Sequence, residues 1–88
     1  MRKIVLDGTY LLDRETVHEY LKETLELPEY YGKNLDALYD CLTDLEATVI
    51  EIKIPEEQIE DEEKNRYFKR VLRVFKMAAR ENENLSVI

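Results

Sequence analysis

Eighty-eight residues with 44% apolar side chains make one small domain, with a single core and a thin stability margin. Twenty acidic residues against thirteen basic ones give a net charge of -7, which disfavours nonspecific nucleic-acid binding and favours a basic protein partner. The only cysteine, Cys41, cannot form an internal disulfide, and the opening MRKIVLDG has too short an apolar run for a signal peptide. No stretch is long and apolar enough for a membrane span, so the expectation is a cytoplasmic monomer that engages neither membrane nor nucleic acid.

Lys3–Asp7 is a compact apolar run closed by Gly8 and predicts a buried strand. Asp13 can cap a helix running to about Leu25, with Val17, Tyr20, Leu21 and Leu25 on its apolar stripe. Pro28 ends that segment, and Glu29–Gly32 make the connection. Asn34 is a good N-cap for a second helix, in which Leu35, Leu38, Leu42 and Leu45 recur at helical spacing and mark the buried face. Asp36, Tyr39, Asp40 and Thr43 then fall on the opposite side.

Thr48–Ile54 alternates, with Ile50, Ile52 and Ile54 pointing one way and Glu51 and Lys53 the other, which predicts a half-buried strand stopped by Pro55. Glu56–Glu63 carries six acids in eight residues and reads as a solvated loop or short helix. Lys64–Glu81 is a long amphipathic helix with Phe68, Val71, Leu72, Phe75 and Ala79 inward and a basic outer side. The acidic run before it supplies local charge compensation for that side. Asn82–Asn84 is polar and turn-like, and Leu85–Ile88 is a last short strand. The order strand, helix, helix, strand, helix, strand predicts an α/β fold: a three-stranded parallel sheet with helices packed on it.

Asp36 and Asp40 lie one turn apart with no lysine or arginine at an adjacent helical position. Asp36 gains from the helix dipole; Asp40, further along, does not. Like charges at this spacing cost a helix a few tenths of a kcal/mol. A cation from another molecule accounts for them, and the neighbouring Tyr30, Tyr31 and Tyr39 suit an interface built around arginine.

Catalysis by the pair would need a pocket that splits two pKa values, and a face on a short helix offers little concavity. A metal would need more oxygen ligands than two carboxylates supply. The single histidine, His18, excludes a two-histidine metal site and reads as a surface residue; Cys41 reads as a buried small hydrophobe. No phosphate-binding, dinucleotide-binding or nucleophile-elbow motif occurs, so no cofactor is expected.

The segment LPEYYGKNLDALYDCLT, Leu27–Thr43, resembles the central motif of the barstar family of intracellular ribonuclease inhibitors. Asp7-Gly8, Leu21-Lys22 and Val71–Lys76 extend the likeness over essentially the whole chain. The resemblance implies the same three-stranded parallel sheet in one domain of 88 residues. It also implies that the second helix and preceding turn plug the active site of a basic, barnase-like ribonuclease. Position by position, the implied contacts are Tyr30, Tyr31, Gly32, Asn34, Leu35, Asp36, Tyr39, Asp40, Thr43, Asp44 and Leu45, with Asp40 standing in for an RNA phosphate. The chain departs from the family pattern at Tyr39, where a tryptophan is usual, at Asp44-Leu45, usually glycine-tryptophan, and at Met77, usually acidic. These departures keep an alternative open: a barstar-like binding module whose partner is a different basic protein.

Overall fold

The structure, a computed structural model, describes residues 2–55 and 60–88. Three parallel strands, β1 (Arg2–Asp7), β2 (Thr48–Lys53) and β3 (Leu85–Val87), form one sheet in the order β1-β2-β3. Arg2 pairs with Thr48 and Asp7 with Lys53, while Thr48 also pairs with Leu85. A 3₁₀ turn (Gly8–Leu11) follows β1, and three helices complete the chain: α1 (Arg14–Thr24), α2 (Leu35–Thr43) and α3 (Glu62–Glu81). The element order and the parallel sheet are those expected from the sequence.

One core joins the sheet to all three helices. Leu6, Ile50, Ile52 and Leu85 enter it from the strands, Val17 and Leu21 from α1, Leu38 and Leu42 from α2, and Phe68, Val71, Phe75 and Ala78 from α3. Burying each large side chain contributes about 1.5–3 kcal/mol, which is why these positions fix the register of every element. The alternate strand positions face away: Lys3, Val5, Lys53 and Ser86 are exposed. Strand β1 is therefore not the buried strand its apolar run suggested. It is an edge strand covered on one face, and Val5 is 45% exposed. Ile54 lies beyond the end of β2 and is 61% exposed, so the inward alternation stops at Ile52.

Capping follows the sequence signals. Asp13 accepts the Glu15 N–H at the start of α1, and Asp61 accepts those of Glu63 and Lys64 at the start of α3. Of the acidic stretch expected to be a loop or short helix, residues 56–59 lie outside the described residues, and Glu62 and Glu63 belong to α3. The buried stripe of α3 is rotated from the expected one: Tyr67 and Ala78 are buried, whereas Leu72 and Ala79 are half-buried at its edge. Among the described residues, no helix is long and apolar enough to cross a membrane.

His18 corrects the surface reading most clearly. It is 6% exposed, and its ring lies between two phenols: Nδ1 is 2.7 Å from the Tyr31 hydroxyl and Nε2 is 3.1 Å from the Tyr67 hydroxyl. In a neutral imidazole one nitrogen donates and the other accepts, so one tyrosine gives a hydrogen bond and the other receives one. The bridge ties α1 to α3 and to the turn that leads into α2. Burial holds the His18 pKa below its ordinary value and pushes the Tyr31 and Tyr67 hydroxyls up.

Two predictions follow from this packing. A Cβ at Gly8 would collide with the Lys53 carbonyl oxygen and lie 2.9 Å from Pro55 Cδ, so Gly8→Ala should cost about 1–3 kcal/mol, read by chemical denaturation. Because the folded state holds His18 neutral, its stabilising contribution is complete above about pH 6.5. That contribution should decline as the pH falls from there through the lowered folded pKa, with a slope of at most about 1.4 kcal/mol per pH unit. The carboxyl groups of Asp7, held down by its hydrogen bonds from Thr9, and Glu19, held down by Lys33, titrate below this window. Unfolding curves at pH 8 and pH 5.5 should differ for wild type and converge for His18→Gln.

Candidate protein-binding face

The turn into α2 is built from local constraints. The Tyr31 N–H bonds the Pro28 carbonyl at 2.9 Å, and Lys33 adopts a left-handed conformation (φ 52°) that redirects the chain. The Lys33 ammonium pairs with Glu19 on α1. Asn34 closes the turn from both sides: Nδ2 donates to the Gly32 carbonyl at 3.2 Å, and Oδ1 accepts the Ala37 N–H at 2.7 Å. This is the N-cap the sequence predicts, and it fixes where α2 starts.

The far end of α2 is held by a residue that sequence reading placed in a polar turn. Asn82 is buried, and its Nδ2 donates to the carbonyls of Leu42 and Leu45, each at 3.0 Å. The Leu42 carbonyl belongs to the last turn of α2, and Leu45 lies just beyond its C-cap, Asp44. The Asn82 Oδ1 accepts the Asn84 N–H at 3.0 Å, so one side chain joins the end of α2 to the approach of β3. The signal for Asn82 was its spacing: Val71, Phe75, Ala78 and Asn82 continue one helical face, and a polar residue there is buried only with a partner.

With both ends fixed and Leu38 and Leu42 fully buried, α2 presents a defined outer face. Asp36 and Asp40 are exposed on it, and neither forms an ion pair among the described residues. The Thr43 hydroxyl donates to the Asp40 backbone carbonyl at 2.8 Å. Tyr39 and Thr43 are half-buried, and Asp44 is the exposed C-cap. Leu35 and Leu45, expected on the buried face, are half-buried at its two ends.

The expected site residues separate into two groups. Tyr30 is 87% exposed beside the helix, with Gly32, Asn34, Asp36, Asp40 and Asp44 also on the surface. Tyr31, by contrast, is 5% exposed and spends its hydroxyl on His18, so it braces the turn from within. Cys41 is half-buried rather than buried. Burial first, and then Asp40 and Asp44, push its thiol pKa up and keep it protonated. Among the described residues, no three His, Cys, Asp or Glu side chains are grouped to hold a metal ion.

A family model described as Barstar (barnase inhibitor) matches residues 1–87. A protein of Bacillus subtilis (strain 168) named "Putative ribonuclease inhibitor YrdF" is 51% identical over 53 residues. That match covers 57% of this chain and 58% of the relative, just over half the length of each. With the family model spanning nearly the whole chain and the three-stranded parallel architecture in place, this chain belongs to the barstar (barnase inhibitor) family.

Proposed function

We propose that the chain is a non-catalytic inhibitor of a barnase-type ribonuclease, and that it acts by laying α2 and the preceding turn across the enzyme's active site. One observation carries the reading: two exposed carboxylates, Asp36 and Asp40, stand one turn apart on a helix anchored on every other side, with no ion-pair partner among the described residues. A ribonuclease cleft is cationic because it must hold phosphates. A rigid pair of carboxylates meets the same cations without losing the conformational entropy of two free side-chain carriers. Family membership and the name of the Bacillus relative support the reading.

The roles are distinct. Asp40 is the surrogate phosphate, accepting from the guanidinium groups that bind substrate. Asp36 adds a second ionic contact and is itself favoured by the N-terminus of α2. Tyr30, fully displayed beside the helix, stacks on the partner, and Tyr39 and Thr43 line the contact between the carboxylates. Gly32, Asn34, Leu35, Asp44 and Leu45 complete the edge. A second reading, in which the partner is a different basic protein, is favoured by Tyr39, Leu45 and Met77. They remove two large aromatics and one ionic contact of the family pattern; Met77 is 45% exposed on α3.

Asp40→Ala should weaken inhibition by roughly thirtyfold or more while leaving the folded state as stable or slightly more so, because it removes a like-charge helical pair. Parallel inhibition and melting measurements separate these effects; unchanged inhibition in the variant contradicts the mechanism. The association rate should fall as salt rises, since an acidic inhibitor is steered to a basic enzyme, while dissociation changes little. Stopped-flow association at low and high ionic strength reads this directly, and a flat rate contradicts electrostatic steering.

A further inference from the structure

The acidic face has a cationic border that the inhibitor reading does not use. Arg14 opens α1, and its guanidinium carbon sits 5.2 Å above the Tyr67 ring, a cation–π contact that fixes its position. Arg70 lies one turn beyond Tyr67 on α3. Both guanidiniums lie close enough to the Tyr67 hydroxyl to oppose the rise that burial imposes on its pKa. Two surface grooves meet at Arg14, Tyr67 and Arg70, and one of them, about 380 Å³, continues to Asn34, Leu35 and Asp36 at the start of α2.

Neither Arg14 nor Arg70 forms an ion pair among the described residues. The first groove is mixed in charge: Asp13 and Asp61 cap α1 and α3, and the exposed Glu15 and Glu63 share it with Lys64 and Arg66. Along the second groove, which borders α2, Asp36 is the one carboxylate among the lining residues. Lys33, which also lines the second groove, is paired with Glu19. Two guanidiniums without an ion pair among the described residues thus share a groove with Asp36, at the start of α2, in a chain whose net charge is -7.

We infer that Arg14 and Arg70 form a second part of the binding face, which takes a carboxylate of the ribonuclease lying beside its cationic cleft. The inference rests on the inhibitor reading and adds a selection rule to it. A partner that is cationic at the cleft and also at this border would be repelled by the arginines. A partner with an aspartate or glutamate there gains a bidentate contact on a pre-positioned guanidinium. The alternating charge pattern, negative along α2 and positive at its N-terminal side, also fixes the orientation of docking.

The test is inhibition of a panel of barnase-type ribonucleases by the wild-type chain, Asp40→Ala, Arg14→Gln and Arg70→Gln, with melting curves for each. The Arg70 side chain makes no hydrogen bond among the described residues, so Arg70→Gln should melt like wild type and bind about tenfold more weakly. In double-mutant cycles against acidic residues at the cleft border of the inhibited enzyme, each replaced by its amide, Arg70→Gln should couple to one and be additive with the rest. Wild-type inhibition that requires Asp40 but is unchanged or improved in both arginine variants overturns this inference and leaves the inhibitor reading standing. Losses that couple to no acidic residue also overturn it. If wild type inhibits none of the panel, the inhibitor reading and this inference fall together.

Discussion

Asn82 reaches back forty residues to hold the Leu42 carbonyl in the last turn of α2 and the Leu45 carbonyl just beyond it, and the acidic face depends on that grip. Helix α2 has only nine residues, too few to persist alone in water, so its order is imposed by its surroundings. Asn34 fixes its first turn, Asn82 its last, and Leu38 and Leu42 its inner side. The His18 bridge does the same for the turn in front, pinning Tyr31 to α1 and α3 so that its neighbour Tyr30 is left outside. Rigidity is supplied from behind, by buried hydrogen bonds, and charge is carried in front, by Asp36 and Asp40, which are exposed and outside the core.

That division explains a charge arrangement that looks unfavourable in the isolated chain. Two carboxylates at helical spacing repel, and the second has no helix dipole to favour it. The penalty is small, a few tenths of a kcal/mol, against core contributions of about 1.5–3 kcal/mol for each large buried side chain. The fold tolerates the pair easily, and the repulsion is relieved when a cation from a partner arrives. The half-buried Cys41, next to Asp40 and near Asp44, stays a protonated thiol, because both its burial and those aspartates oppose a thiolate.

Much of this was legible in the residues themselves. The spacing of Leu38 and Leu42, the cap at Asn34 and the pairing of Asp36 with Asp40 are local patterns, and α2 follows them closely. The alternation of Ile50 and Ile52 likewise gave β2. The failures share a cause: each concerned a residue whose environment is set by distant chain. His18 was placed on the surface because nothing near it in sequence shows the phenols of Tyr31 and Tyr67 closing over its ring. Asn82 was placed in a turn because its partners lie on α2. In α3, where both flanks of the stripe are apolar, the rotation from Leu72 and Ala79 toward Tyr67 and Ala78 is decided by where α2 packs, which periodicity does not encode. Strand β1 carried an apolar run without alternation, and only the sheet order shows that it forms an edge.

In the proposed mechanism one face of one helix lies against a ribonuclease, and amide chemical-shift mapping of the labelled chain on addition of a barnase-type ribonuclease tests that placement most directly. The predicted result is a contiguous set of perturbed amides from Tyr30 through Leu45, strongest around Asp36, Asp40 and Thr43, with the outer sheet positions Lys3, Val5, Lys53 and Ser86 unmoved. A complex in which those sheet positions shift and α2 stays silent would contradict it.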